Sequence, residues 1–131
     1  MIYGIGTDIV AVARMGANLE RFGERFARRI LAESEWSGFE LSVKKANYLA
    51  KRFAAKEAAV KAMGTGFVDG MVLSQISVEH DRKGKPLLCF QDRAAEIHSV
   101  LGIGTAHLSL SDEDDYAVAF VTLMKLSPPQ R

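Results

Sequence analysis

The sequence predicts a mixed chain of helices and antiparallel hairpins. Three observations carry that prediction: a long alanine-rich helix in the middle, a β-branched strand at the start, and two pairs of alternating segments joined by short polar turns. At 131 residues, a single domain is expected over residues 1–125, large enough for a core and small enough to gain from oligomerisation. Seventeen Lys plus Arg against sixteen Asp plus Glu leave a formal net charge of +1, so bulk charge names no partner. The single cysteine, Cys89, excludes an internal disulfide and, without a Cys/His cluster, argues against structural zinc; its apolar strand predicts a buried thiol. No apolar run reaches the length of a membrane span and the N-terminus lacks the pattern of a signal peptide, so a cytoplasmic protein is expected. The tail 126–131, with Pro128 and Pro129, is expected to be disordered.

The central helix is read over residues 47–66, ending in a glycine-rich exit. At 100° per residue, Leu49, Phe53, Val60 and Met63 form an apolar stripe, and Ala50, Ala54, Ala58 and Ala62 a ridge of small side chains roughly opposite. A helix of this kind is buried on several sides, which makes its charged residues informative. Lys56 falls inside the stripe, Glu57 and Lys61 lie one turn apart along its edge, and Arg52 flanks the other edge. Burying a lone charge costs several kcal/mol unless it is paired or bound to metal. Gly64, Thr65 and Gly66 leave backbone free to approach a ligand and bring amide and hydroxyl donors suited to phosphate, although a plain C-cap needs only one glycine.

Residues 1–13 read as the opening strand, with Ile2, Gly4, Gly6, Asp8 and Val10 on one side. Aspartate is depleted in strands, and two glycines on its own face clear room beside the Asp8 carboxylate; the alternative is that Asp8 caps the next element. Ile9 stands where a dinucleotide fingerprint needs its third glycine, so that motif fails, and there is no Walker A sequence. Residues 14–30 are helical, with Leu19, Phe22, Phe26 and Ile30 at helical spacing and breaks expected at Gly16 and Gly23. Arg14, Arg21, Arg25 and Arg28 align if the helical phase persists across Gly23. Such a row is a solvated face or a docking surface for an acidic partner; nucleic acid fits poorly, because no aromatic interleaving accompanies it. Residues 31–42 form a loop or short helical turn, with Trp36 and Phe39 as core anchors and Ser42 as a cap for the central helix.

Residues 72–80 and 85–90 form a hairpin across a turn at 81–84. Residues 91–101 form an amphipathic helix with Ala94, Ile97 and Leu101 inward and His98 exposed. The last hairpin pairs 105–111 with 116–124, placing His107, Ser109 and Ser111 on one face and Leu108 and Leu110 on the other. That polar row is a solvated surface or the wall of a site.

One strand carboxylate, one helix carboxylate, nearby Lys and Arg and a His/Ser/Ser row describe a site for a magnesium-bound polyphosphate, since magnesium takes one or two carboxylates plus phosphates and waters. The spaced motifs 4–10 with Arg14, 52–58 with Lys61 and Gly64 to Gly66, and 107–111, resemble the holo-(acyl-carrier-protein) synthase family, the short bacterial phosphopantetheinyl transferases, over nearly the whole chain. The resemblance implies an α+β protein with the 4'-phosphopantetheinyl transferase fold, an antiparallel sheet packed around a long central helix, assembled as a homotrimer with sites between subunits. It implies transfer of 4'-phosphopantetheine from coenzyme A to a serine of apo acyl carrier protein, releasing adenosine 3',5'-bisphosphate. By the same resemblance Asp8 and Glu57 hold Mg²⁺, Lys61 stabilises charge beside them, and Arg52, Gly64, Thr65 and Gly66 cradle coenzyme A. His107, Ser109 and Ser111 meet the nucleotide across the interface, while Arg14, Arg21 and Arg25 meet the acidic helix of the carrier. Asp112 departs from the family, many of whose members carry His there. Two other readings stay open at this stage: a non-catalytic coenzyme A-binding regulator, and a basic adaptor in which Asp8 and Glu57 are structural.

Overall fold

A computed structural model describes residues 1–127. In chain order it contains β1 (Ile2–Ala11), α1 (Val12–Phe22), α2 (Glu24–Ile30), a 3-10 turn (Glu33–Glu35), α3 (Trp36–Leu41), α4 (Lys45–Met63), a second 3-10 turn (Leu73–Gln75), β2 (Ile76–His80), β3 (Pro86–Phe90), α5 (Asp92–Val100), β4 (Ile103–Asp112) and β5 (Tyr116–Lys125). Strands β1, β5 and β4 form an antiparallel sheet in that order, with β5 in the centre, and β2 pairs with β3 in a separate hairpin.

The sheet lies against α4 because the sequence removes side chains where the two meet. A Cβ on Gly6 would overlap the Ala58 carbonyl and come within 2.7 Å of the Ala62 amide nitrogen; one on Gly4 would overlap the Ala62 carbonyl. The predicted glycine face and alanine ridge are therefore the two sides of one contact. Leu49, Ala54, Ala58, Val60 and Met63 of α4 are buried with Val10 of β1 and Val121 and Leu123 of β5. Phe53, expected in the buried stripe, is only half-buried at the mouth of a cleft.

Several boundaries moved. β1 stops at Ala11, and α1 runs unbroken through Gly16, whereas Gly23, at φ 65°, does divide α1 from α2. The phase resets there, so Arg28 leaves the arginine row and lies over Trp36 at 3.9 Å. Ser42 does not cap α4. It ends α3, and its hydroxyl accepts only from the Lys44 amide, at 3.2 Å. The strand expected from residue 72 begins at Ile76. Cys89 is half-buried on β3, which pairs with β2 alone, and partial burial raises its thiol pKa. His98 is not exposed: it stacks on Phe90 at 4.5 Å, and burial lowers its pKa. The expected disordered tail begins with a bonded residue, since the Leu126 amide donates to the Gly102 carbonyl at 2.8 Å; residues 128–131 lie outside the described part.

Candidate active site

The β1–α4 contact fixes where the Asp8 carboxylate emerges. Asp8 follows Gly4 and Gly6 on the face of β1 that meets α4, opposite Ala119 of β5, so its carboxylate emerges beside the last turns of the helix. There the Lys61 Nζ donates to Asp8 Oδ1 at 2.9 Å and to the Thr7 carbonyl at 3.0 Å. Asp8 and Glu57 line the same open cleft of about 240 Å³, with Arg14 and Phe53 on its walls. The Glu57 pKa is raised, first by burial and then by the charge of Asp8, against the pull of Lys61 and Arg14. Lys61, one turn from Glu57 on the helix, pairs with Asp8 of the strand.

Two carboxylates that repel each other across a cleft suit a hard divalent cation, which removes the repulsion. No group of three or more His, Cys, Asp and Glu able to hold a metal occurs among the described residues. A pair of carboxylate donors fits a magnesium ion that completes its shell with phosphate oxygens and water.

The glycine exit is built differently from its sequence reading. Gly64, at φ 79°, is a left-handed cap, and the amides of Gly64, Thr65 and Gly66 all turn back to the Val60 carbonyl, while the Thr65 hydroxyl donates to the Gly66 carbonyl. These donors are engaged in ending the helix. What the exit offers is space, for a Cβ on Gly64 or Gly66 would meet nothing within 4 Å.

Arg52 is also placed elsewhere. It is 8% exposed, its Nε lies 3.4 Å from Glu35 Oε2 without a hydrogen bond, and its guanidinium carbon sits 3.5 Å from the centre of the Tyr48 ring. The phase of α4 turns it away from the Asp8 cleft of its own chain and beside Glu35 and Lys56. Glu35 was missed by the sequence reading. The only signal was Lys56, an ammonium inside an apolar stripe that required a partner without naming it.

Arg14 belongs to the cleft itself, whereas Arg21 and Arg25 line a groove of about 540 Å³ with Asn18, Phe22, Phe26 and Arg29. His107, Ser109 and Ser111 pair with Thr122, Phe120 and Val118, which in turn oppose Ile5, Thr7 and Ile9. All of these lie on the sheet face opposite Asp8. One chain therefore does not bring the His/Ser row to the carboxylates. Asp112, at the end of that strand, pairs with Lys51 at 3.9 Å.

Residues 4–121 match the family model of the 4'-phosphopantetheinyl transferase superfamily, and the chain belongs to that superfamily. Within it the likeness narrows to one kind of enzyme. The chain is 58% identical over 124 residues to the holo-[acyl-carrier-protein] synthase of Halorhodospira halophila, covering 95% of this chain and 98% of that one. The crystal structure of the holo-[acyl-carrier-protein] synthase from Neisseria meningitidis superposes with a TM-score of 0.90 at 45% identity, covering 95% of this chain and all of that one. The Bacillus anthracis synthase, whose structure is a complex with CoA (3',5'-ADP), superposes with a TM-score of 0.77 at 36% identity over 97% of this chain and 99% of that one.

Proposed function

We propose that this chain transfers 4'-phosphopantetheine from coenzyme A to a serine of apo acyl carrier protein, releasing adenosine 3',5'-bisphosphate, with Asp8, Glu57 and Lys61 at the reacting centre. The observation that carries the assignment is the cleft in which Asp8 and Glu57 meet and Lys61 bonds Asp8. Magnesium, held by Asp8 and Glu57, would neutralise diphosphate charge and supply Lewis-acid stabilisation of the leaving group. Every other contribution comes from the chain. Lys61, more than half exposed, can swing from Asp8 to a phosphate oxygen without losing a buried contact. Arg14 adds a second cation to the cleft, its guanidinium lying over the Phe53 ring at 5.7 Å. The open backbone at Gly64 and Gly66 admits the bulky end of coenzyme A. Catalysis in such a site rests on positioning and on charge stabilisation.

The groove of Arg21, Arg25 and Arg29, lined also by Phe22 and Phe26, suits an acidic amphipathic helix of the carrier, and Arg14, one turn before Asn18 on the same helix, stands at the cleft. Separation of the His107 row from Asp8 supports a homotrimer with sites between subunits, since a neighbour's β4 can then complete the nucleotide end of the site. Coenzyme A and apo carrier are substrates of the cytoplasm, where we place the protein; no helix among the described residues is long and apolar enough to cross a membrane.

The test is to incubate the protein with coenzyme A, Mg²⁺ and apo carrier and weigh the carrier. Gain of one phosphopantetheine is expected from the parent and none from Asp8→Ala or Glu57→Ala. An unmodified carrier with the parent would favour a coenzyme A-binding regulator or an adaptor, and turnover in either variant would remove the metal assignment.

A further inference from the structure

Behind the cleft, on the far side of α4, lies a buried ionic cluster that the reaction does not use. Lys56 is wholly buried; its Nζ donates to Glu35 Oε1 at 2.6 Å and to the Ile30 carbonyl. Glu35 also accepts from the Ala32 amide at 2.8 Å and, through Oε2, from the Val78 amide at 2.9 Å. The Tyr48 hydroxyl donates to the Glu35 carbonyl at 2.6 Å. Four elements thus converge on one ion pair: α2 through the Ile30 carbonyl on Lys56, the 3-10 turn that carries Glu35, β2 through Val78, and α4.

The cluster is a poor way to gain stability. Burial pulls the Lys56 pKa down against the pull of Glu35, and a buried ion pair replaced whole by apolar side chains of similar size often leaves a protein as stable or more so. Its neighbours on the helix, Ala55, Ala59 and Val60, show that an apolar residue would be at home there. What the pair supplies is direction. Ile30 ends α2, where the carbonyls lack helical partners, so Lys56 grips that helix by its free end. At its other end α2 follows Gly23, a left-handed break at φ 65° where an added Cβ would meet nothing within 4 Å, so no side chain fixes the joint with α1. Ala27 and Ile30 seat α2 on the core, and the directional bond from Lys56 to its last carbonyl fixes its far end; α2 carries Arg25, Phe26 and Arg29 of the basic groove.

We propose that Glu35 and Lys56 are positioning residues that hold α2 at a fixed angle to the helix bearing Glu57 and Lys61, so that a carrier docked in the basic groove delivers its serine to the cleft. The inference rests on the carrier-docking reading of that groove.

The full chain is assayed with coenzyme A, Mg²⁺ and apo carrier, and KM for each substrate is measured separately in the parent, in Glu35→Met/Lys56→Met and in Arg25→Glu. The paired apolar variant is expected to melt at or above the parent temperature, to keep the parent KM for coenzyme A, and to raise the carrier KM roughly tenfold. Amides of residues 24–30 in that variant are expected to exchange faster with solvent. A carrier KM equal to the parent's, or parallel losses for both substrates, would overturn the proposal. If the double variant does not fold, Glu35→Gln is read for the same split between substrates. Arg25→Glu separates the two readings: an unchanged carrier KM there removes the docking assignment, whereas a raised KM there with none in the paired variant removes the positioning role alone.

Discussion

Glu57 occupies a place where its own charge is unwelcome. Burial comes first and Asp8 second in raising its pKa above the ordinary 4.5, so the folded protein binds that proton more tightly than the unfolded chain does. The associated stability is complete below about pH 4.5 and is lost as pH rises through the raised folded value. In chelator-treated protein, Glu57→Gln is therefore expected to melt higher than the parent at pH 7 and to converge with it below that window; equal melting temperatures at pH 7 would contradict the reading. A destabilising carboxylate in a cleft fits the metal-holding role proposed for Glu57. Lys61 gives the opposite pattern. Its pair with Asp8 has a side chain 54% exposed, worth less than about 1 kcal/mol, so Lys61→Ala should leave thermal stability nearly intact. Its loss from the transition state should lower kcat about 10²-fold, measured by carrier mass gain over time. A large fall in melting temperature would recast Lys61 as a structural residue.

At the scale of elements, the decisive contact is the one in which two glycines of β1 let the sheet settle on the alanine ridge of α4. Gly6→Ala places a methyl group against the Ala58 carbonyl and the Ala62 amide, backbone atoms that cannot swing away. Unfolding by urea should show a loss of about 1–3 kcal/mol or more, and activity should fall as well because Asp8 rides on the same strand. The two sides of this contact were legible separately, as a glycine face and an alanine ridge, but not their meeting: the room read beside Asp8 is filled by the backbone of Ala58 and Ala62. The two hairpins were legible because local alternation and turn residues define them. The rest depended on long-range geometry. Nothing near Glu35 marks it as the partner of a lysine 21 residues away. The phase break at Gly23 is a backbone angle that spacing cannot supply, and it moved Arg28 out of the row. Ser42 looked like a cap because serine precedes a helix, yet α3 ended there first. The amides of Gly64 to Gly66 were available on paper and occupied in space, since the helix had to end on something.

For the whole molecule, the outer face of the sheet is the unresolved surface. Ile5, Ile9 and Phe120 are 60%, 63% and 46% exposed on it, in cross-strand rows that end in His107, Ser109 and Ser111. Large exposed apolar side chains bordered by polar ones suit an interaction surface, and here the same rows carry a polar edge on the sheet face opposite Asp8. In the ring of three copies proposed above, the patch would be buried and each β4 would serve its neighbour's carboxylates. Phe120→Asp is expected to give monomers in sedimentation and to lose transfer, because a charge in that patch opposes closure of the ring. Complementation is the sharper experiment. Asp8→Ala removes a group from one side of each shared site and His107→Ala from the other, so each variant alone should be nearly inactive. Unfolded together in equal amounts and refolded, random rings would pair an intact Asp8 with a neighbour's intact His107 in about a quarter of sites, restoring about that fraction of parental turnover. If the mixture stays as inactive as its components while rings form normally, both halves of the site belong to one chain and the shared-site arrangement fails.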